Sequence, residues 1–552
     1  MVLRALVAVF LAALTAFPAQ ALRPFPSPMM VRQAASSGPT AVVSQNFTTN
    51  STFPAWLDNS LTVGHRMQYD STGKLTYAPN NLIQQSDNWA AAAWATVSNM
   101  TRTANNAVAP DGTTTATLLT ATNANAYIQQ AGATTGTPAK KITSFWVKRK
   151  TGTGTINMVD AQAFSWTPIT VTSSWTQVYA VSVATTDSYI GLQIVTSGDE
   201  FWVWRGVTEA VTYQTTPTVN SATGYGYQTT SAAYYGPRFD YDPATLTARG
   251  ILIEESRTNL ALYCRDLTNA AWTKTNVTAA KDQTGIDGVA NSASKITASA
   301  GNGTVLQSIT LASSQRFQSA YVKRITGTGT VEMTTDGGST WTAITVTASW
   351  AKVTIPAQTV TNPSVGFRII TNADAIAVDF VQNETGAFAT SPIFTTSASV
   401  TRVADIIKLA GSALSTIGGA AGTVIQEYNL EGDTAATQYQ IYGNTVSPLY
   451  FDSSRVIKAT NGTNILSSAV TATVGTSIRA GLAWDGSGRS ISANGSAAVT
   501  DANGFGTIGS TVYDGSNNGA NTANGWLRTF AIYDSKLSGS TFTGKTTTGA
   551  AL

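Results

Sequence analysis

Residues 141–158 read KITSFWVKRKTGTGTINM, and residues 316–333 read RFQSAYVKRITGTGTVEM. Ten of these eighteen positions are identical, at a constant offset of 175. WTPITVTSSWTQV (166–178) and WTAITVTASWAKV (341–353) repeat at the same offset, with nine of thirteen identical. A period this long exceeds the 20–50 residues of a solenoid unit. It marks a duplicated domain.

The duplication extends outward from these strands. NNLIQQSDNWAAAAW (80–94) matches TNLALYCRDLTNAAW (258–272), with Trp94 opposite Trp272. Upstream, GHRMQYD (64–70) matches GPRFDYD (236–242), so Arg66, Tyr69 and Asp70 line up with Arg238, Tyr241 and Asp242. Each copy therefore begins with a hairpin: a short strand, an Asp/Gly/Pro turn and a second short strand. Runs rich in Thr, Val, Ile and aromatics, broken by Gly, Asn and Asp about every ten residues, predict antiparallel strands. No helical periodicity of useful length interrupts them. TGTGT resembles a phosphate loop only superficially, because no Gly-Lys-Ser/Thr and no helix follow, so a hairpin turn is expected.

The fold class read from this pattern is all-β: two tandem jelly-roll β-sandwiches followed by a concanavalin-like β-sandwich. The expected layout is a signal-like apolar leader (1–22), a Pro/Ser-rich linker or attachment arm (23–63) and a first hairpin with jelly-roll module 1 (64–210). A connector with the second hairpin (211–257), module 2 (258–400) and an unduplicated sandwich (401–552) follow. The leader has Arg4, an apolar run from Ala5 to Phe17 and Ala19-Gln20-Ala21, the layout of a secretory signal peptide.

Composition excludes several function classes. Only 11% of the 552 residues are charged and the net charge is +3, so the basic footprint of a nucleic-acid binder is missing. Cys264 is the single cysteine and His65 the single histidine. Neither a disulfide within the chain nor a Cys/His metal cluster can form, and a Ser-His-Asp triad would depend on one loop residue. Glu254-Glu255 and Asp199-Glu200 are adjacent on strand-like runs, so their carboxylates point to opposite faces. They do not form the facing pair that glycoside hydrolysis needs.

RFDYDPATLTARGILIEESRTNL (238–260), TNLALYCRDLTNAAW (258–272) and ETGAFATSPIFTTSASVTRVADI (384–406) resemble a module of tailed-phage and prophage structural proteins. LAWDGSGRSISANGSAAV (482–499) and NGWLRTFAIYDSKLS (524–538) are similar to the concanavalin/laminin-G-like sandwich that follows it. The resemblance covers roughly 64–545. It implies a non-catalytic, glycan-binding tail-fibre, head-fibre or decoration protein on the virion surface, contacting host cell-surface glycan and other virion subunits. A homo-oligomer, such as a trimer, is implied as well, although no heptad or collagen-like run accompanies it. The leader points to the alternative of a secreted bacterial glycan-binding protein. A glycan depolymerase and a purely architectural virion subunit are further alternatives.

Sugar sites combine aromatic faces for the pyranose ring with polar neighbours for its hydroxyls. Differences between the copies point to candidates better than identities, which serve folding equally well. Trp202 and Trp204 stand where the second copy has Ala377 and Asp379, and alternation places both on one strand face. Trp146 stands opposite Tyr321. In the third sandwich, Trp484, Asp485, Asn517 and Trp526 fall in loop-rich stretches. A heavier core or a domain contact would use the same tryptophans. No catalytic residue and no cofactor is expected. Asp485, Asp514 and Asn517 offer oxygens of the kind Ca²⁺ takes, but their spacing matches no defined calcium loop, and turns explain Asp and Asn beside Gly.

Overall fold

The computed structural model describes residues 39–51, 54–59, 66–218, 232–432, 437–443 and 446–552. The leader, most of the expected arm and His65 lie outside the described residues. Contacts divide the chain into two units, Met1–Thr40 and Ala41–Leu552, and all the described strands belong to the second.

Module 1 contains β1 (Ala116–Ala121), β2 (Ala126–Ala131), β3 (Lys140–Thr151), β4 (Ile156–Val159), β5 (Trp166–Ile169), β6 (Thr176–Val181), β7 (Tyr189–Ile194) and β8 (Glu200–Val211). Its antiparallel pairs are nested: β1 with β8, β2 with β7, β3 with β6 and β4 with β5. Contacts of β3 with β8 and β4 with β7 complete two sheets. A nested hairpin rolled into two facing sheets is a jelly roll.

Module 2 repeats every pair. Its strands are β9 (Ala293–Ala298), β10 (Gly303–Ser308), β11 (Ser314–Thr326), β12 (Val331–Thr334), β13 (Thr342–Ile344), β14 (Ala351–Val360), β15 (Ser364–Ile369) and β16 (Ala375–Thr385). β9 pairs with β16, β10 with β15, β11 with β14 and β12 with β13, and β11–β16 and β12–β15 complete the sheets. The copies share one topology.

Period-two alternation sets the layers. Phe145, Val147, Phe201 and Val203 enter the first core, where Trp89 and Trp94 stack with centroids 3.9 Å apart. Trp94 donates its indole N–H to Gln85 O at 3.1 Å, and the matching Trp272 donates to Leu262 O at 3.1 Å. The TGTGT turns are built around a carboxylate. Asp199 accepts from Gly154 N at 2.8 Å and from Arg149 at 3.1 Å, and Asp374 accepts from Gly329 N at 2.7 Å and from Arg324 at 3.4 Å. Gly152 and Gly327 sit at φ +83° and +79°, where an added Cβ would collide with those carboxylates. The repeated motif is therefore a structural turn, and Arg149 and Arg324 are tied into it rather than left in solvent.

The third sandwich stacks two antiparallel sheets. One centres on Gly525–Tyr533, flanked by Gly422–Leu430, and the other runs through Ile407–Leu409, Val512–Asp514 and Gln438–Gly443. Its boundaries differ from the expectation. Val43–Asn46 pairs with Thr529–Ile532, and Leu57–Asn59 pairs with Leu409–Ile407, so part of the stretch expected as linker supplies two strands. The second hairpin, Arg238–Tyr241 with Ala248–Ile253, joins the same sheet through Gly525–Leu527. Val43–Asn46 and the second hairpin cover the edge that Gly525–Tyr533 would otherwise expose, while Leu57–Asn59 extends the other sheet.

The two hairpins meet at a buried ionic knot. Arg66 Nε donates to Asp405 Oδ1 at 2.8 Å, while the equivalent Arg238 reaches Oδ2 of the same carboxylate. Arg238 and Arg402 also hold Glu254 Oε2, at 2.5 and 2.7 Å, and Ser391 Oγ donates to it at 2.6 Å. Glu254 N donates to Asp405 at 2.9 Å. All five charged side chains are buried. Removing them from water is costly, and only this density of hydrogen bonds offsets it. The knot binds both hairpins to the end of module 2 and to the third sandwich.

Candidate functional site

The structure brings three of the seven candidate residues together, on the outer face of module 1. Trp146 is directly across from Trp204 in the β3–β8 register, and Lys148 is across from Trp202. Trp204 is buried beneath the loop between residues 107 and 116, donating its indole N–H to Thr115 Oγ1 at 3.0 Å with Arg205 4.1 Å over its ring. Trp202 is half-buried and donates to Asn106 Oδ1 at 3.0 Å, with Lys148 Nζ 5.3 Å from its ring centroid. Trp175 packs against the same group and donates to Val108 O at 3.0 Å. Further along the face, Tyr179 is 48% exposed. Trp204 thus supports the face from below, while Trp146, Trp175 and Trp202 present partly open rings among Asn106, Lys148 and Gln177.

The same face of module 2 is occupied. Tyr321 and Trp350, the counterparts of Trp146 and Trp175, pack with Met67, Tyr69 and Leu75 of the first hairpin. The Tyr69 and Tyr321 rings meet edge-on at 6.3 Å. Asp379, the counterpart of Trp204, is buried in an ion pair with Arg265 at 2.7 Å. One copy thus turns this face toward its own chain, and the other leaves it open.

Trp526 occupies a different place. It lines a cavity of about 370 Å³ where both hairpins, module 2 and the third sandwich converge. Its indole N–H donates to Asp240 Oδ2 at 2.9 Å, Tyr69 N donates to Oδ1 at 2.7 Å, and Arg249 lies 4.7 Å over the ring. Burial raises the Asp240 carboxyl above its usual range. Glu431, Lys352 and Trp350 also line the cavity. Burial pushes the Glu431 carboxyl up to about 7, against the opposing pull of Lys352.

The remaining candidates stand apart. Trp484 is fully buried, stacks on Phe505 at 4.1 Å and donates to Gly419 O at 3.1 Å. It is a core residue and cannot offer a face to a sugar. Asp485 forms a hairpin turn, accepting from Ser487 Oγ at 2.6 Å, from Lys536 Nζ at 2.9 Å and from Ser487 N at 2.9 Å, and these donors hold its carboxyl down at about 2. Asn517 closes a tight loop through two backbone bonds with Ala520, at 2.8 and 2.9 Å. Asp514 is buried and accepts from Gln426 and Tyr428, at 3.0 and 2.8 Å. Among the described residues, no group of three or more His, Cys, Asp or Glu is placed to hold a metal ion. Cys264 is buried, and burial pushes its thiol up to about 11.

Sequence reasoning missed Glu431, Lys352, Asp240 and Arg249. One signal was present: the hairpins differ at Gln68 and Asp240, and the rule that differences between copies matter applies there as well as to the last strand.

No family model matches the chain, and no curated protein matches it. Solved structures match parts of it. A heptameric SAP-like pentraxin from Limulus polyphemus is 17% identical over 24% of this chain and 72% of its own, with a TM-score of 0.19. The CBM22 tandem domain of Paenibacillus barcinonensis Xyn10C is 10% identical over 59% of this chain and 100% of its own, at 0.20. A Trypanosoma rangeli sialidase is 12% identical over 25% of each chain, at 0.21.

Proposed function

We propose that this protein is a non-catalytic glycan-binding subunit of a phage-type particle, and that module 1 holds saccharide on the outer face built by Trp146, Trp175 and Trp202. The observation that carries this reading is the contrast between the copies. The face that module 2 covers with the first hairpin is open in module 1 and richer in tryptophan. Indole rings among Asn and Lys side chains suit the apolar C–H face and polar rim of a pyranose. Tethering such a weak site in a multi-copy particle raises its avidity without new contacts.

Binding without cleavage is favoured by the carboxylates. Asp240 has both oxygens taken by neutral donors, and Asp242 is paired with Arg249. Among the described residues that line the junction cavity, Glu431 is left as the one free carboxyl. Glycoside hydrolysis needs two. The phage setting rests on the sequence resemblance, and mass spectrometry of purified particles tests it. A glycan array tests the site: Trp202→Ala and Trp146→Ala should each weaken binding roughly tenfold, on the order of 1.4 kcal/mol for one lost stacking ring. Unchanged binding in both variants would reject this face.

A further inference from the structure

The junction cavity has features that packing does not use. Its volume of about 370 Å³ lies within the range of roughly 300–1,000 Å³ typical of small-molecule sites. It shares Asp242, Arg249, Glu431 and Trp526 with a shallower groove of about 820 Å³, so it opens to the surface along that side. Glu431 donates its backbone N–H to Asn524 O at 2.9 Å, but its carboxylate accepts no hydrogen bond from the described residues. Lys352 Nζ makes one bond, to Thr390 O at 2.9 Å, and has two further N–H donors. The two side chains feel each other's charge without forming an ion pair. An acceptor and a donor of opposite charge therefore face the same space without closing on each other.

Hydrogen-bonding capacity left open on both sides of a cavity favours a ligand that bridges it, and Glu431 and Lys352 turn such capacity toward one space. The charges around them select its class. Arg249 is already bound to Asp242 at 2.7 Å, and Asp240 to Tyr69 and Trp526. An anionic ligand would meet Glu431, Asp240 and Asp242, and a cationic one would meet Lys352 and Arg249. A neutral vicinal diol satisfies both free groups, one hydroxyl donating to Glu431 and its neighbour accepting from Lys352. Trp350 and Trp526 supply apolar wall for the ring that carries the diol.

We infer that this cavity is a second saccharide site, separate from the face of module 1, which takes one neutral pyranose through adjacent hydroxyls held between Glu431 and Lys352. It does not depend on the module 1 site, and the two fail separately.

The test is calorimetric titration of the full chain with methyl α-D-glucopyranoside, methyl α-D-mannopyranoside and methyl β-D-galactopyranoside. At least one should bind. Glu431→Gln and Lys352→Met should each weaken that binding tenfold or more, whereas Trp202→Ala should leave it within twofold. Crystals of the unaltered protein soaked in the same glycoside guard against variants that fold poorly, and should show the ring in the cavity. The inference is overturned if no glycoside binds, if both cavity variants bind within twofold of the parent, or if the soaked sugar lies elsewhere. Loss in Trp202→Ala alone would defeat the cavity and leave the module 1 reading intact.

Discussion

Asp405 is where the two hairpins, related by duplication, become one structure, and replacing it with alanine tests that role. The substitution removes the acceptor of Arg66 at 2.8 Å, of Arg238 through its other oxygen, and of Glu254 N at 2.9 Å. Two arginines that are 3% and 0% exposed lose a carboxylate that water cannot readily replace. Breaking a buried ion pair from one side costs roughly 3–5 kcal/mol. Module cores built around Trp94 and Trp272 do not share these contacts, so the loss should be local. Hydrogen–deuterium exchange read by peptide resolves this. Amides of residues 66–77 and 238–253 should exchange roughly 10²- to 4 × 10³-fold faster, at about tenfold per 1.4 kcal/mol, while β3 and β11 change little. Exchange within threefold of the parent across both hairpins would refute the reasoning, and so would equal acceleration throughout both modules.

Two further predictions concern stability. Asp514 is buried with Oδ2 unpartnered, and burial pushes its carboxyl from an ordinary 3.8 up to about 7. The folded state keeps a proton there that the unfolded chain has released, so stability should fall as pH rises from about 4 to 7 and then level off. Asp514→Asn should remove on the order of 2–3 kcal/mol of that dependence, read from denaturant midpoints at pH 5 and pH 8. Gly152→Ala and Gly327→Ala should each destabilise their module by about 1–3 kcal/mol, because both combine positive φ with a clash against a carboxylate; equal losses in the two copies are expected, and a loss under about 0.5 kcal/mol would contradict the turn geometry.

The sequence carried the jelly rolls further than the third sandwich, for physical reasons. Duplication made equivalent strands recognisable, and alternation placed Trp202 and Trp204 on one face because strand geometry alone decides that. Which face looks outward was not legible, since Trp204 is sealed by a loop that bonds it through Thr115. Trp484 precedes an Asp-Gly turn and reads as a loop residue; its burial depends on Phe505 and Gly422, and local pattern says nothing of either. Val43–Asn46 and Leu57–Asn59 are too short to show a period, and only their partners in the third sandwich make them strands. The junction cavity draws Glu431, Lys352, Asp240 and Trp526 from four separated segments, a convergence that spacing cannot encode.

Size analysis of a fluorescently labelled host-surface polysaccharide, with and without the protein, tests binding without cleavage most directly. The labelled chain should move with the protein and, once stripped from it, return at its original length. A polysaccharide that never associates, or that comes back shortened, would contradict the proposed function.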